Sequence, residues 1–306
     1  MDGPIGIFDS GLGGLTVVRA VRRRLPAESI VYFGDTARVP YGIKSSRTVT
    51  RFAMEACSLL LEHRPKFIVA ACNTASATAL PALADHLDVP LCGVIEPGAA
   101  QAVEPAGGRP IGVIATEATI ASGAYRRAIH RLRPDATVLE KACPLLVPIV
   151  EEGRTVDDPV VRLVLREYLT PLAAGGVGTV VLGCTHYPLL AGAIAETLGP
   201  AVTLVDSAEA VAARVADRLA AEDRLAADGR GDIRFFVSDH PDRFRAVGSR
   251  FLGTPAQPVT LVPPEALSAG SGGWHGHPTS GGHDAEQGPW PRERGHATRA
   301  SVEETP

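Results

Sequence analysis

Several features that would place a chain in a particular class of protein are missing from this sequence. No apolar run approaches the roughly 20 residues that a membrane-spanning helix needs. Asp2 and Asp9 stand where a signal peptide would carry a basic patch and a long apolar run. The net charge of −4 disfavours a general nucleic-acid binder, which is usually basic. We therefore expect a cytoplasmic protein that binds neither membranes nor nucleic acids.

The cysteines lack the spacing of disulfide partners or zinc ligands. They are odd in number and far apart, and no Cys-x-x-Cys pair occurs. A disulfide framework or a zinc knuckle would require regular, paired spacings, whereas a reduced compartment tolerates isolated thiols. The positions concerned are Cys57, Cys72, Cys92, Cys143 and Cys184.

The sequence does contain two apolar runs that end at a cysteine followed by small polar residues. Residues 67–71 precede Cys72, and residues 180–183 precede Cys184. A continuous apolar run bounded by glycine, proline or polar residues is typical of a buried strand in a parallel sheet. Ligands bind at the carboxyl ends of such strands. Both cysteines are thus predicted to lie where a ligand would bind.

An internal repeat relates the two cysteine segments. Residues 110–116 repeat residues 4–10 at an offset of 106, and Cys184 follows Cys72 by 112 positions. The constant order and similar spacing of these matches indicate a duplicated unit. We predict an α/β fold in which two pseudo-symmetric parallel-sheet domains face each other across a central cleft. Each domain would contribute one cysteine to that cleft.

Two thiols on opposite faces of one α-carbon could invert its configuration. One thiolate would remove the α-proton while the other thiol delivered a proton to the opposite face, without a redox cofactor or a metal. The thiolate of Cys72 should be stabilised by the helix predicted to follow it, because unpaired N–H groups and the dipole at a helix N-terminus favour negative charge.

Polar residues beside the cysteines could assist this chemistry. Asp9 and His186 are the natural neighbours to tune the two thiols, although an isolated Asp9 would be interpreted as a helix cap. Hydroxyl and amide groups could hold a substrate carboxylate or ammonium; they belong to Ser10, Asn73, Thr74 and Thr185.

Five segments together make the chain resemble the glutamate racemases of the cofactor-independent aspartate/glutamate racemase superfamily. They span the chain from about Ile5 to Leu204, in the order that the family has. The segments are DSGLGG (9–14), GDT with PYG (34–36 and 40–42), ACNTAS (71–76), VPIVE (147–151) and GCTHYP (183–188).

The resemblance implies conversion of L-glutamate to D-glutamate for bacterial peptidoglycan, with no cofactor, no metal and often a homodimer. It also implies that Cys72 and Cys184 are the acid/base residues. The residues implied to assist them are Asp9, Asp35, Glu151 and His186. The residues implied to contact substrate are Asp9, Ser10, Tyr41, Gly42, Asn73, Thr74, Thr185 and His186.

The length of 306 residues suggests about two domains. By the resemblance, the last ordered segment returns to complete the first domain, so we assign residues 1–96 and 207–265 to it and residues 97–206 to the second. Glu96, Pro97 and Gly98 are interpreted as a turn and crossover between them. Residues 266–306 are predicted to be a disordered tail, since glycine, proline, serine, histidine and charged residues dominate there.

Three alternatives stay open from the sequence. An aspartate racemase or another epimerase of the superfamily would use the same two cysteines. A non-catalytic amino-acid-binding protein would have the cleft without the chemistry. A metal hydrolase could bind zinc through Cys72, Cys184 and His186, because thiolate and imidazole are common zinc ligands.

Overall fold

Two parallel sheets form from the residues that this computed structural model describes, 3–227 and 229–270. The strands of the first sheet are β1 (Ile5–Asp9), β2 (Ile30–Gly34), β3 (Phe67–Ala70), β4 (Leu91–Gly93), β9 (Ile233–Val237) and β10 (Val259–Leu261). The strands of the second are β5 (Ile111–Ala115), β6 (Val138–Ala142), β7 (Thr179–Gly183) and β8 (Thr203–Val205). All the residues of β1, β3 and β7 are buried, which explains why their sequences are continuous apolar runs.

The strand order confirms the predicted α/β fold and its repeat. The first sheet runs β10-β9-β2-β1-β3-β4, and the second runs β6-β5-β7-β8. Four adjacent strands at one end of the first sheet, β2-β1-β3-β4, therefore have the same order as the whole of the second. The strands that precede Cys72 and Cys184, β3 and β7, occupy equivalent places in the two sheets.

Helices connect the strands, as a parallel sheet requires. They are α1 (Leu15–Arg24), α2 (Ser46–Glu62), α3 (Asn73–Thr78), α4 (Leu80–His86), α5 (Ile95–Val103), α6 (Glu117–Ala121), α7 (Ala124–Leu132), α8 (Leu146–Glu151), α9 (Pro159–Ala174), α10 (Ala191–Leu198), α11 (Ser207–Ala221), α12 (Pro241–Leu252) and α13 (Pro264–Gly270). Single 3₁₀ turns cover Tyr41–Ile43 and Tyr187–Leu190. Among the described helices, none is both long and apolar enough to cross a membrane.

The interpretation of Glu96, Pro97 and Gly98 as a turn was wrong. These residues lie in the first turn and a half of α5, where Gly98 N–H donates to the Val94 carbonyl at 3.1 Å. Proline is tolerated there because the first N–H groups of a helix have no partner within the helix. The small Gly98 lets α5 pack closely, since an added Cβ would lie 3.2 Å from the Cβ of Ser207.

The end of the described chain returns to the first sheet. β9 pairs with β2, and β10 pairs with β9. Helix α13 then occupies the first five residues of the predicted tail, because Leu267 is buried in a hydrophobic cluster with residues such as Phe8 and Leu59. The tail therefore cannot begin at residue 266, and residues 271–306 lie outside the described residues.

One hydrophobic cluster contains side chains of both sheets. It includes Ile7 and Val69 from the first sheet and Val180 and Leu182 from the second. The described residues accordingly form one compact unit. The domain bounds given above stay a prediction within that unit.

Candidate active site

A small buried cavity lies at the carboxyl ends of equivalent strands from the two sheets. Ser10 follows β1, Cys72 follows β3 by two positions, Thr116 follows β5 and Cys184 follows β7, and all four line it. The cavity has a free volume of about 20 Å³, which is room for about one water molecule. Its other lining residues are Val39, Pro40, Tyr41, Gly42, Asn73, Thr74, Val147, Thr185 and His186.

Cys72 is the N-cap residue of α3 and is buried, with 5% of its surface exposed. Its Sγ lies 3.6 Å from the Ser10 hydroxyl. Burial and the nearby Asp9 carboxylate raise the pKa of Cys72 to about 12, although the Ala75 N–H and the Ser10 hydroxyl act in the opposite direction. The N–H groups at the start of α3 stabilise the thiolate as predicted. Their effect is smaller than the free-energy cost of transferring a thiolate out of water, so the pKa is raised overall.

Cys184 has a different neighbour. Its Sγ lies 3.9 Å from Nδ1 of the buried His186, whose Nε2 lies 3.0 Å from Oε1 of Glu151. Burial lowers the pKa of His186, but the interactions with Cys184 and Glu151 outweigh it and raise the pKa to about 10. Burial raises the pKa of Glu151, but His186 and Arg243 lower it by more, so the net shift is downward. An imidazolium therefore lies between the Cys184 sulfur and the Glu151 carboxylate.

Asp9 connects the two sheets. Its Oδ2 accepts from the Gly11 N–H at 3.0 Å, and its Oδ1 accepts from the Thr185 hydroxyl at 3.5 Å. Burial raises the pKa of this carboxylate, against the lowering effects of His186 and of backbone N–H groups at the start of α1. Gly14, and not Asp9, is the N-cap residue of α1, so the cap alternative was wrong, and Asp9 lies instead beside both cysteine segments.

Close contact between the DSGLGG segment and the Cys184 segment requires glycine at position 13. A Cβ added to Gly13 would lie 2.1 Å from the Thr185 hydroxyl oxygen and 2.8 Å from Nδ1 of His186. Real Cβ atoms do not approach so closely, so any larger residue would displace the Cys184 segment. Gly42 is constrained similarly, because its Cβ would lie 2.5 Å from that of Thr116.

Asp35 does not line the cavity. Its Oδ2 accepts from the Tyr41 hydroxyl at 2.5 Å and from Arg38 Nε at 2.7 Å, and its Oδ1 accepts from the Ser238 hydroxyl at 2.7 Å. Tyr41 is the member of this network that lines the cavity. Asp35 therefore positions Tyr41, and the assistance to the cysteines that the resemblance implied stays a prediction.

Asn73 offers an unused donor to the cavity. Its Oδ1 accepts from the Tyr125 hydroxyl at 2.6 Å, which fixes the orientation of the amide. Its Nδ2 is buried and has no hydrogen-bond partner among the described residues. A buried donor without a partner is costly, and a substrate carboxylate would satisfy it.

Three threonine hydroxyls form a cluster beside Asn73. Thr74 Oγ1 lies 3.0 Å from Thr116 Oγ1 and 3.2 Å from Thr119 Oγ1, and the last two lie 3.0 Å apart. Neither Thr116, which lines the cavity, nor Thr119 beside it was among the predicted site residues. The repeat carried a signal for Thr116, because that residue occupies the repeat position of Ser10.

The described part of the chain holds no cluster of metal-ligating side chains. Over residues 3–227 and 229–270, no three histidine, cysteine, aspartate or glutamate side chains converge closely enough to hold an ion. Cys72, Cys184 and His186 line the same cavity without forming such a set.

Comparison with known proteins places these features in a family. Residues 13–215 match the model of the Asp/Glu/hydantoin racemase family. A glutamate racemase of Geobacter metallireducens is 52% identical over 263 residues, covering 86% of this chain and 97% of that protein. The crystal structure of glutamate racemase isoform RacE1 from Bacillus anthracis has a TM-score of 0.83 at 40% identity, covering 86% of this chain and 98% of that one. That of Francisella tularensis glutamate racemase with D-glutamate has a TM-score of 0.81 at 38% identity, covering 88% and 99%.

Proposed function

The chain belongs to the Asp/Glu/hydantoin racemase family, and we propose that it interconverts L-glutamate and D-glutamate with Cys72 and Cys184 as its two acid/base residues. The observation that carries this proposal is that both thiols line one buried cavity at the carboxyl ends of equivalent strands. The enzyme is then an isomerase. Glutamate is favoured as substrate by the relatives that match nearly the whole described chain.

The resting protonation states follow from the two environments. His186, with its pKa raised to about 10, is an imidazolium at neutral pH, and its Nδ1 lies 3.9 Å from Cys184 Sγ. Cys72, with its pKa raised to about 12, is a thiol. In one direction, Cys184 Sγ takes the α-proton while the electron pair stays on the α-carbon, and Cys72 then donates its proton to the opposite face. The reverse reaction starts from the exchanged protonation states.

Substrate charges find partners in the same cavity. The free Nδ2 of Asn73 and the hydroxyls of Thr74 and Thr116 donate to a carboxylate, and Asp9 lies close enough to the site to attract an ammonium group. Donors at the carboxylate also stabilise charge that develops during α-proton removal. Since the cavity holds only about one water, we expect its walls to separate for substrate entry and close for the reaction.

Solvent exchange tests the proposed reaction. The protein is incubated with L-glutamate in heavy water, and optical rotation and the α-proton NMR signal are followed together. We expect the rotation to decay to zero while deuterium replaces the α-proton. If neither changes, the amino-acid-binding alternative is favoured and the racemase proposal fails. Decay with aspartate but not glutamate would keep the mechanism and replace the substrate.

Three further expectations from the sequence are also proposals. They are that the reaction needs no metal or cofactor, that its product is used for peptidoglycan, and that the protein is a homodimer. Activity that survives dialysis against a chelator would support a reaction without metal or added cofactor, and zinc loss with activity loss would favour the hydrolase alternative. Growth of a D-glutamate-requiring bacterium carrying this gene would support a role in cytoplasmic peptidoglycan precursor synthesis. Light scattering after size exclusion would decide whether the protein is a homodimer.

A further inference from the structure

Helix α12 reaches the Cys184 side of the cavity from outside the duplicated unit. In sequence it lies between β9 and β10, the two strands of the first sheet that have no counterpart in the second sheet of the described chain. The helix packs against α1 and β10. Gly248 permits this close approach, because an added Cβ would lie 2.9 Å from Cδ1 of Leu15. The segment that the repeat does not predict is therefore fixed to the first sheet.

One side of α12 faces both His186 and Glu151. The ring of Phe251 meets the imidazole of His186 with ring centroids 5.4 Å apart and ring planes at 80°. Eight residues earlier, Arg243 Nη2 lies 3.8 Å from Oε2 of Glu151. Residues eight apart share one side of a helix, because they are separated by little more than two turns. The same helix side thus contacts both members of the pair beside Cys184.

Three contacts surround the imidazole of His186. Its Nε2 lies 3.0 Å from Oε1 of Glu151. Gly13 lies so close to Nδ1 that an added Cβ would be 2.8 Å from that nitrogen. Phe251, which is fully buried, packs on a third side of the ring. A hydrogen bond at Nε2 does not by itself fix the plane of the ring, so packing is needed to keep Nδ1 beside the Cys184 sulfur.

The contact between Nδ1 of His186 and Sγ of Cys184 leaves little tolerance for movement of the ring. At 3.9 Å it is already long. A displacement of about 1 Å in a catalytic group can cost about 10²-fold in rate. The near-perpendicular arrangement with Phe251 is one that aromatic pairs prefer, so this neighbour favours the observed ring orientation. A smaller aliphatic side chain at position 251 would leave space into which the imidazole could turn.

We propose that Phe251 is a positioning residue that keeps the His186 imidazole beside Cys184, so that a helix attached to the first sheet completes the site formed by the second. The effect on rate rests on the proposed function, whereas the contact itself can be tested without substrate. The charged or titratable groups that face the imidazole are Cys184, Glu151 and Asp9. Phe251 adds no charge to this set, so it acts through geometry.

Nuclear magnetic resonance of the full chain, labelled with ¹⁵N-histidine, tests the contact in the absence of substrate. The His186 signals, assigned by their loss in His186→Asn, are followed from about pH 6 to about pH 11. The parent should titrate at a pKa of about 10. In Phe251→Leu the midpoint should fall by about one pH unit or more, because a displaced imidazole loses the neighbours that favour its cationic form.

Phe244→Leu is the matched control. Phe244 is a buried phenylalanine of the same helix, but its ring packs against Tyr32 and Phe235 instead of His186. The substitution should loosen α12 to a similar degree and leave the His186 midpoint at the value of the parent. If Phe251→Leu does not fold, Phe251→Met, which keeps most of the volume and removes the ring, repeats the measurement.

Racemisation rates give a second readout of the role of Phe251. We expect Phe251→Leu to lower kcat by about tenfold or more and to change KM by less than about twofold, because the substrate charges are held by other residues. Phe244→Leu should retain kcat. A Phe251 variant with the His186 midpoint of the parent, or an equal shift in the Phe244 variant, would overturn the proposal. If the parent does not racemise glutamate, the proposed function fails while the resonance comparison still decides the role of Phe251.

Discussion

The two cysteine sides of the cavity share a backbone arrangement and differ in charge. Cys72 and Cys184 follow equivalent strands, yet Cys72 faces the Ser10 hydroxyl and the Asp9 carboxylate, whereas Cys184 faces His186. The first environment favours a neutral thiol, whereas the second places an imidazolium beside the sulfur. The repeat therefore places two equivalent sulfur atoms, and residues that differ between the repeats give them different charged neighbours.

Replacement of Cys72 or Cys184 should have the largest effect on activity. We expect Cys72→Ser and Cys184→Ser each to lower kcat by about 10²- to 10⁴-fold in both directions, because a serine hydroxyl is a poor acid and base at neutral pH. Polarimetry starting from each enantiomer measures this. Cys92→Ser, a thiol away from the cavity, is the control and should retain activity. Near-full turnover by either active-site variant would contradict the two-base mechanism.

Loss of the His186 imidazolium should remove the difference in charge between the Cys72 and Cys184 sides of the cavity. His186→Asn should lower kcat by about 10²-fold, since the Cys184 thiolate loses its imidazolium partner. Glu151→Gln should lower kcat less, because the imidazole remains and only its own carboxylate is lost. The initial rates of the two directions are compared for each variant. A Glu151 variant more damaged than the His186 variant would mean that the carboxylate acts on its own.

The pH dependence of stability should report the same imidazolium. The pKa of His186 is raised from 6.5 to about 10 in the folded protein, so its ion pair stabilises the fold fully below pH 6.5. That contribution, of the order of a few kcal/mol, is lost as pH rises from 6.5 to about 10. Urea unfolding across this range should show a steeper decline for the parent than for Glu151→Gln. Identical slopes would show that Glu151 does not stabilise the imidazolium.

On the Cys72 side, the free amide of Asn73 should affect substrate binding. Asn73→Ala should raise KM by about tenfold, equivalent to about 1.4 kcal/mol, since a charge-assisted hydrogen bond to a carboxylate is lost. Tyr125→Phe leaves Nδ2 in place and removes only the bond to Oδ1, so its KM should rise less. Steady-state kinetics of both variants provide the comparison. Equal effects would indicate that Asn73 acts through α3 packing instead.

Deletion of C-terminal residues, which belong to neither cysteine side of the cavity, should have the smallest effect on activity. Deleting residues 271–306 should leave kcat and KM unchanged, because helix α13 ends at Gly270. Deleting residues 264–306 should also leave the cavity intact but destabilise the fold by about 1.5–3 kcal/mol, since Leu267 loses its buried position. Thermal unfolding and polarimetry measure the two effects. A large rate loss on the shorter deletion would assign a function to the tail.

Local sequence patterns were sufficient to predict β3 and β7 and the positions of the two cysteines after them. The apolar runs before Cys72 and Cys184 predicted β3 and β7, because burial on both faces leaves a continuous apolar sequence. The match between residues 4–10 and 110–116 predicted the common strand order of the two sheets. Pro97 was misinterpreted because proline is common both in turns and in the first turn of a helix.

Long-range contacts decided the rest of the candidate site. Thr116 and Thr119 meet Thr74 only when the second sheet packs against the first, and Asp35 proved to hold Tyr41 through a network that includes Ser238. Sequence spacing carries no information about such encounters, because each joins residues from separate segments.

The sequence by itself determined that two thiols lie at the ends of equivalent buried strands, since hydrophobic runs and an internal repeat are local properties of the chain. Only the tertiary structure decided which charged groups each thiol meets. Protonation depends on the free energy of transferring charge out of water and on the nearest opposite charge. Those quantities are set by how completely the fold buries Cys72 beside Asp9 and by how closely it brings Glu151 and His186 to Cys184.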